Sequence, residues 1–447
     1  MSLVAEQPKL DRMGIIVDGR RFEEWSEGRV SADIFTPANS FSLRCGPMGL
    51  DIIQRVLPGR GISIYIGDGT DDTILLTGWT EGFMDSTSKR DWGTNVTGRD
   101  MASDLVENSV PEDLSVKGKS FYDIAQEVCD TVGISVICTN EANRLAVTQK
   151  KKFKKEMAKY GQSLDAYNAK VANTMKPWGP ELQYSMSEGA AKAALKKAGV
   201  TQPMKPPLVK GIFNTNDEAE PQDGESCWDF LSRYCKALEV FMWMTAGGVL
   251  VCQRPRYDQD PQYVFLSRID RPENNNVISR TVNIDIASIP TSYKRIGRYK
   301  GKGEKRERIT AEYDATRVIP TSDDPIMATS QGEQDTDLVR VASAFSRARW
   351  EMDTEAVNLN DLGNRAWYAL KAMEMGFMTI ELTLDGWDQG GIPYAPDTVG
   401  RLVDEKLGLD GSYYIASCDY LLNDRQSGGG RKTRATLTPL YVWSPAA

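Results

Sequence analysis

Two stretches of this chain read as copies of one unit, and that duplication constrains the architecture before it says anything about chemistry. Residues 120–139, SFYDIAQEVCDTVGISVICT, and 226–245, SCWDFLSRYCKALEVFMWMT, align without a gap. Four identities in twenty positions are weak by themselves. The matching cap, helix length and strand carry more. Ser120 and Ser226 stand where helix N-caps belong, with Asp123 and Asp229 in the capping-box position three residues on. Each stretch predicts a helix of about three turns that runs into an apolar strand.

The flanking regions repeat a second grammar. Ile15, Ile16 and Val17, then Asp18-Gly19, then Arg20 predict a tight hairpin. Ile62, Ile64 and Ile66 alternate with Ser63 and Tyr65, a turn at 67–69 follows, and strands are predicted over 73–78, 79–84 and 94–97. Gly98-Arg99-Asp100 then leads into a short helix near 101–107. Towards the other end Val399, Arg401 and Val403 alternate after Pro396, as the isoleucines do after Pro58. Residues 413–420 match 74–81, and 433–438 match 94–97. The order is barrel, helix-strand unit, helix-strand unit, barrel.

Residues 150–210 break the pattern. They hold thirteen Lys and no Arg against Glu156, Asp165, Glu181 and Glu188, a net +9, which leaves −17 on the rest of the chain. Phe153, Met157, Tyr160, Leu164, Tyr167 and Val171 form one apolar stripe at helical spacing, interrupted by Gly161. A second, Ala-rich helix is predicted over 187–198, and Pro203, Pro206 and Pro207 make an extended exit. This block reads as an insertion. Further on, Leu338, Val341, Phe345 and Ala348 predict a helix, 359–373 predicts another, and 320–337 is polar and reads as loop. The expected fold is α+β and mainly β. Its parts are a first barrel over 1–110, paired units over 111–145 and 225–256, a helical Lys-rich insertion over 146–224, connecting strands and helices over 257–375, and a second barrel over 376–447 completed by part of 257–320.

Chemistry is narrowed by one absence. The 447 residues include no histidine, which removes Ser-His-Asp triads, Cys-His dyads, His-containing zinc sites and HExxH proteases together. The net charge of −8 speaks against a dedicated nucleic-acid binder. No apolar run reaches the length of a membrane span, and residues 1–13 lack the apolar core of a signal peptide. The seven cysteines are odd in number, widely spaced and without a CxxC pair, so buried reduced thiols are expected rather than a disulfide framework or a metal site.

Each candidate site has a plain structural reading beside it. Gly428-Gly429-Gly430-Arg431-Lys432 lacks phosphate-loop spacing and precedes a strand, so it reads as a hairpin loop. Asp68, Asp71 and Asp72 miss the calcium-loop pattern, and Asp323-Asp324-Pro325 is an ordinary loop cluster. A glycosidase-like carboxylate pair stays open, because 62 acids permit one and nothing singles out two. Lys150, Lys151, Lys152, Lys154 and Lys155 suit phosphates or an acidic partner as well as they suit a solvated helix face. No catalytic, cofactor-binding or metal residue is assigned.

Thr77-Gly78-Trp79, Gly98-Arg99-Asp100 and Asp104-Leu105-Val106-Glu107-Asn108-Ser109 resemble the motifs of Mu-type baseplate hub proteins of contractile-tailed bacteriophages. The duplicated units, the GGVLV stretch at 247–251, Arg317 with Pro320, a helix at Ala348-Arg349-Trp350-Glu351 and a strand ending in Gly386-Trp387 follow in the family's order. The resemblance spans nearly everything except the Lys-rich block. It implies a structural virion protein of the tail baseplate, assembled in the host cytoplasm, and not an enzyme. The implied state is a homotrimer whose paired barrels make a six-barrel ring between a six-fold tail tube and a three-fold spike. Implied partners are the tail tube, central spike and tape-measure proteins, other baseplate proteins, and genomic DNA passing through the lumen without specific binding. The alternatives are a cell-wall glycosidase and a carbohydrate-binding tail protein.

Overall fold

The computed structural model describes residues 12–46, 50–67, 72–87, 92–116, 119, 121–138, 221–285, 292–300, 306–314, 348–353, 359–376, 378–423 and 429–440. Strands β1 (Arg12–Val17) and β2 (Arg20–Phe22) form the expected hairpin, with Asp18 and Gly19 at φ of 49° and 73°. Two successive positive φ values are what a type I′ turn needs, and Asp-Gly supplies them at low cost. Then come β3 (Glu27–Asp33), β4 (Ser40–Cys45), helix α1 (Leu50–Val56), β5 (Gly61–Gly67), β6 (Thr73–Thr87), β7 (Trp92–Asp100) and helix α2 (Ala102–Glu107). Alternation places Phe41, Leu43 and Cys45 of β4 and Ile62, Ile64 and Ile66 of β5 in the core. Tyr65, between the core isoleucines, is buried as well. Its hydroxyl donates to Glu23 Oε1 at 2.7 Å, and its ring occupies the space that a Cβ on Gly14 would take.

The middle of the chain builds a separate small core. Helix α3 (Phe121–Asp130) leads into β8 (Ser135–Cys138), and helix α4 (Cys227–Leu238) leads into β9 (Phe241–Met244) and β10 (Val249–Gln253). Both copies thus form a helix followed by a strand. The Ser226 hydroxyl accepts from Asp229 N at 3.0 Å and donates to the Asp229 carboxylate at 2.8 Å; Ser120 lies outside the described residues. In the three-stranded sheet β8-β10-β9, β8 runs parallel and β9 antiparallel to β10. Phe121, Ile124 and Val128 from α3 meet Phe230, Leu231 and Tyr234 from α4 over this sheet.

The remainder supplies β11 (Tyr263–Ser267), β12 (Val277–Ile284), β13 (Ser292–Lys300), β14 (Arg306–Asp314), β15 (Ala348–Asp353), helix α5 (Leu359–Met375), β16 (Met378–Asp385), β17 (Asp388–Gln389), β18 (Ile392–Pro393), β19 (Thr398–Asp404), β20 (Leu409–Leu422) and β21 (Arg431–Pro439). The expected helix at Ala348-Arg349-Trp350-Glu351 is a strand. β15 lies parallel to β13, where Arg295 Nε reaches Asp353 Oδ2 at 2.7 Å and the Tyr293 hydroxyl reaches Glu351 Oε2 at 2.7 Å. These partners hold the segment extended. The helix expected over 359–373 is α5.

The strand order carries the second repeat. In the first half neighbours run β3-β4-β7-β6-β5, and in the second β12-β16-β21-β20-β19, so β5, β6 and β7 correspond to β19, β20 and β21. The mainly β reading stands, but the expectation of two separate barrels is corrected. Eleven strands form one path, β12-β16-β21-β20-β3-β4-β7-β6-β5-β1-β2, with β19 and β11 branching from β20 to complete a sheet of thirteen, and no closed ring of strands is present among the described residues. The reason is the length of β20. Residues 409–415 pair with β19, a bulge follows at Ala416, and Ser417 to Leu422 pair with Asp33 to Gly28 of β3. β3 therefore gives to β20 the edge it would need for closing onto its own half. In the second half the end strands β11 and β12 are stitched by side chains instead. Asn276 accepts from Leu266 N and donates to Val264 O, both at 2.8 Å. One continuous core runs beneath, from Met13, Ile64 and Val96 to Phe265, Leu382, Trp387 and Leu437.

The Lys-rich insertion, its stripe from Phe153 to Val171 and its Ala-rich helix, together with Arg317, Pro320, Asp323-Asp324-Pro325 and the expected helix up to Phe345, lie outside the described residues. Among the described residues no helix is long and apolar enough to cross a membrane.

Candidate functional site

The motifs at 77–79, 98–100 and 104–109 meet in one corner. β6 and β7 pair so that Gly78 faces Asp100, Trp79 faces Arg99 and Thr80 faces Gly98. Both glycines are required by close approach: a Cβ on Gly78 would sit 2.0 Å from Arg99 O, and one on Gly98 1.9 Å from Trp79 O. Trp79 Nε1 donates to Asp104 Oδ2 at 2.7 Å, which pins α2 beneath the pair. Arg99 bonds both Glu81 oxygens, at 2.9 and 2.7 Å, and Glu107 Oε1 at 2.9 Å. The end of the corner then joins the helix-strand units. Cys227 N donates to Asn108 O at 2.9 Å, and Val110 N to Glu225 O at 3.0 Å. Spacing alone did not reveal that these motifs are mutual contacts.

Beside this corner the two halves and β9 enclose a cavity of about 130 Å³. Ile34, Leu75, Leu76, Trp243, Pro393, Tyr394 and Tyr420 give it an apolar lining, and Asp33, Asp100, Asp397 and Arg256 reach it. Each carboxylate is engaged by the scaffold. Asp100 accepts from Asn39 N and Ala102 N, both at 3.0 Å, and so joins the β3–β4 turn to the start of α2. Burial pushes its carboxyl up to about 7. Asp33 accepts from Phe35 N at 2.8 Å, and burial raises it too. Asp397 receives Arg256 Nε at 2.7 Å and the Tyr414 hydroxyl at 2.9 Å. These are turn, cap and junction residues. The open carboxylate-pair reading gains no pair from them.

Where β3 meets β20 the outer face of the sheet is polar. Arg29 Nη2 contacts Asp419 Oδ2 at 2.8 Å and Ser31 Oγ contacts Asp419 Oδ1 at 2.6 Å, stitching the halves across their seam. Glu27, Ser42, Arg44, Asn95 and Arg434 complete a shallow concavity there.

Residues 12–100 match the family model described as Mu phage baseplate assembly protein GpP-like, N-terminal. This segment is similar to that N-terminal domain. The motif corner at 77–100 falls inside it. No curated protein matches the sequence. Among solved structures, the tail protein from Neisseria meningitidis MC58 aligns with a TM-score of 0.60 and 17% identity over 97% of each chain. The prophage MuSo2 43 kDa tail protein from Shewanella oneidensis aligns with a TM-score of 0.61 and 15% identity, over 97% of this chain and 99% of that one. The fold is therefore shared along nearly the whole length, and the resemblance to Mu-type baseplate proteins holds.

The other flagged residues keep plain roles. In the GpP-like segment Asp72 pairs with Arg21 at 2.5 Å, while Asp68 and Asp71 lie outside the described residues. Gly429 and Gly430 carry φ of 74° and 78° in the β20–β21 connection, and a strand follows, as the hairpin reading expected; Gly428 is outside the described residues. Lys150 to Lys155 are also outside them. All seven cysteines are free thiols. Four of them, Cys129, Cys227, Cys235 and Cys252, gather in the core of the helix-strand units and Cys138 packs against it, although their spacing in sequence looked scattered. Only the repeat offers a signal for this, since it aligns Cys129 with Cys235.

Proposed function

We propose that this chain is a structural subunit of a bacteriophage tail baseplate, the hub that joins the six-fold tail tube to the three-fold central spike. The observation that carries the reading is the repeated strand order β3-β4-β7-β6-β5 and β12-β16-β21-β20-β19 in a chain whose residues 12–100 are GpP-like. Three copies of a chain with two related halves present six similar lobes towards a six-fold tube and three towards a three-fold spike. On this reading the divisions are 1–110 and 376–447 as tube-like parts, the second completed by part of 257–320, 111–145 with 225–256 as the paired units, 146–224 as an accessory insertion and the rest of 257–375 as connections. The ring encloses part of the DNA channel, and its wall is neutral or acidic. A basic wall would hold phosphates through counterion release, and the −17 outside residues 150–210 supports a wall that lets DNA slide. Partners are the tube, spike and tape-measure proteins. The role is assembly without catalysis. Mass measurement of the purified protein in native solution tests it: the reading expects three times the 49.7 kDa of one chain, and a monomer or dimer at assembly concentrations contradicts it. Dye release from purified cell walls, abolished by one Asp or Glu substitution, would favour the glycosidase alternative.

A further inference from the structure

Cys138 closes β8, Cys252 lies on β10, and the two are direct partners in the parallel register. Neighbouring strands run about 4.8 Å apart, inside the roughly 4.4–6.8 Å Cα separation that a disulfide bridges. Directly opposed residues also share a face of the sheet. The Cys138 thiol already donates to the Cys252 sulfur, and Cys235 of α4 approaches that sulfur from the helix side. Access differs among the three. Cys235 and Cys252 are buried, whereas Cys138 is half-buried at the end of the sheet's edge strand. Burial raises the Cys138 and Cys235 thiols, while the two thiol hydrogen bonds it accepts hold Cys252 below the ordinary thiol range.

We propose that Cys138 and Cys252 are an oxidisable pair, closed into a disulfide by a low-molecular-weight disulfide, which ties the first helix-strand unit to the second. The small disulfide RSSR meets Cys138 at the edge strand. Cys138 gives up its proton to solvent as its sulfur attacks one sulfur of RSSR and expels RS⁻, which takes up a proton, leaving a mixed disulfide. The Cys252 thiolate then attacks the Cys138 sulfur and expels the second RS⁻. Two protein thiols are oxidised, RSSR is reduced to two RSH, and the two thiol protons end on them. Cys235 stays reduced behind Cys252. The new bond closes a loop from 138 to 252, and such a cross-link restrains the unfolded chain more as the loop lengthens. Its biological sense rests on the baseplate reading: a particle assembled in a reducing cytoplasm and then released would acquire this link only after assembly.

The test treats the purified full-length protein with glutathione disulfide, unfolds it in alkylating reagent and maps the peptides. The proposal expects five alkylated cysteines in place of seven, a peptide joining Cys138 to Cys252, and a higher thermal midpoint for the oxidised protein. Cys138→Ala, at a half-buried position, should lose the link and the midpoint shift together while folding normally. Seven alkylated cysteines, a link that persists in Cys138→Ala between Cys235 and Cys252, or an unchanged midpoint after oxidation would each overturn it. None of these readouts depends on trimer formation, so failure here is distinct from failure of the hub reading.

Discussion

At the residue scale the molecule spends its buried charges on joints. Asp397 ties the 393–398 loop to Arg256, Asp404 pairs with Arg280, and Asp353 with Arg295. Asp100 differs, since backbone N–H groups at the β3–β4 turn and at α2 hold it. Its carboxyl is raised to about 7 against an ordinary 3.8, with burial the largest cause, so the folded state binds the proton more tightly than the unfolded chain. That contribution is complete below the ordinary value and is lost as pH rises through 7. Denaturant unfolding at a series of pH values, compared with Asp100→Asn, checks this. Wild type should lose stability relative to the variant between pH 4 and pH 7, and a relative gain over that window would contradict the assignment. Asp100 was legible as part of a motif, but its burial was not. A strand-end GRD reads as surface until the Asn39 turn, far away in sequence, is folded over it.

Elements with a clean period were the legible ones. The Asp18-Gly19 hairpin, the isoleucine alternation in β5, and the paired helix-strand units follow from local pattern, whereas in β19 the expected core face is reversed, with Arg401 exposed and Leu402 buried. β15 did not, because Arg349-Trp350-Glu351 has a helix-compatible composition and is held extended by Tyr293 and Arg295, more than fifty residues away. The single sheet was also hidden, since β3 meets β20 across about 390 residues and no local period encodes that pairing. The β6–β7 crossing gives the sharpest test at this scale. Gly98→Ala places a methyl 1.9 Å from Trp79 O and 2.7 Å from the Phe41 ring, so it should cost about 3 kcal/mol or more, read as a lower urea midpoint at unchanged slope. Gly46→Ala meets nothing within 4 Å and should change stability by less than about 0.5 kcal/mol. Equal effects of the two substitutions would sink the close-approach explanation of the motif.

For the whole molecule the claim is that a duplicated chain adapts one symmetry to another. On this reading the Lys-rich block is accessory. Replacing residues 150–210 with a short Gly/Ser linker should leave a folded trimer with unchanged far-ultraviolet β signal. Loss of folding would make the block part of the core. Electron microscopy of the purified assembly, averaged in top view, bears most directly on the central claim. The account predicts a closed ring with three-fold symmetry and six similar lobes around a central opening; a two-fold particle, an open chain of subunits, or three lobes without the internal repeat would contradict it.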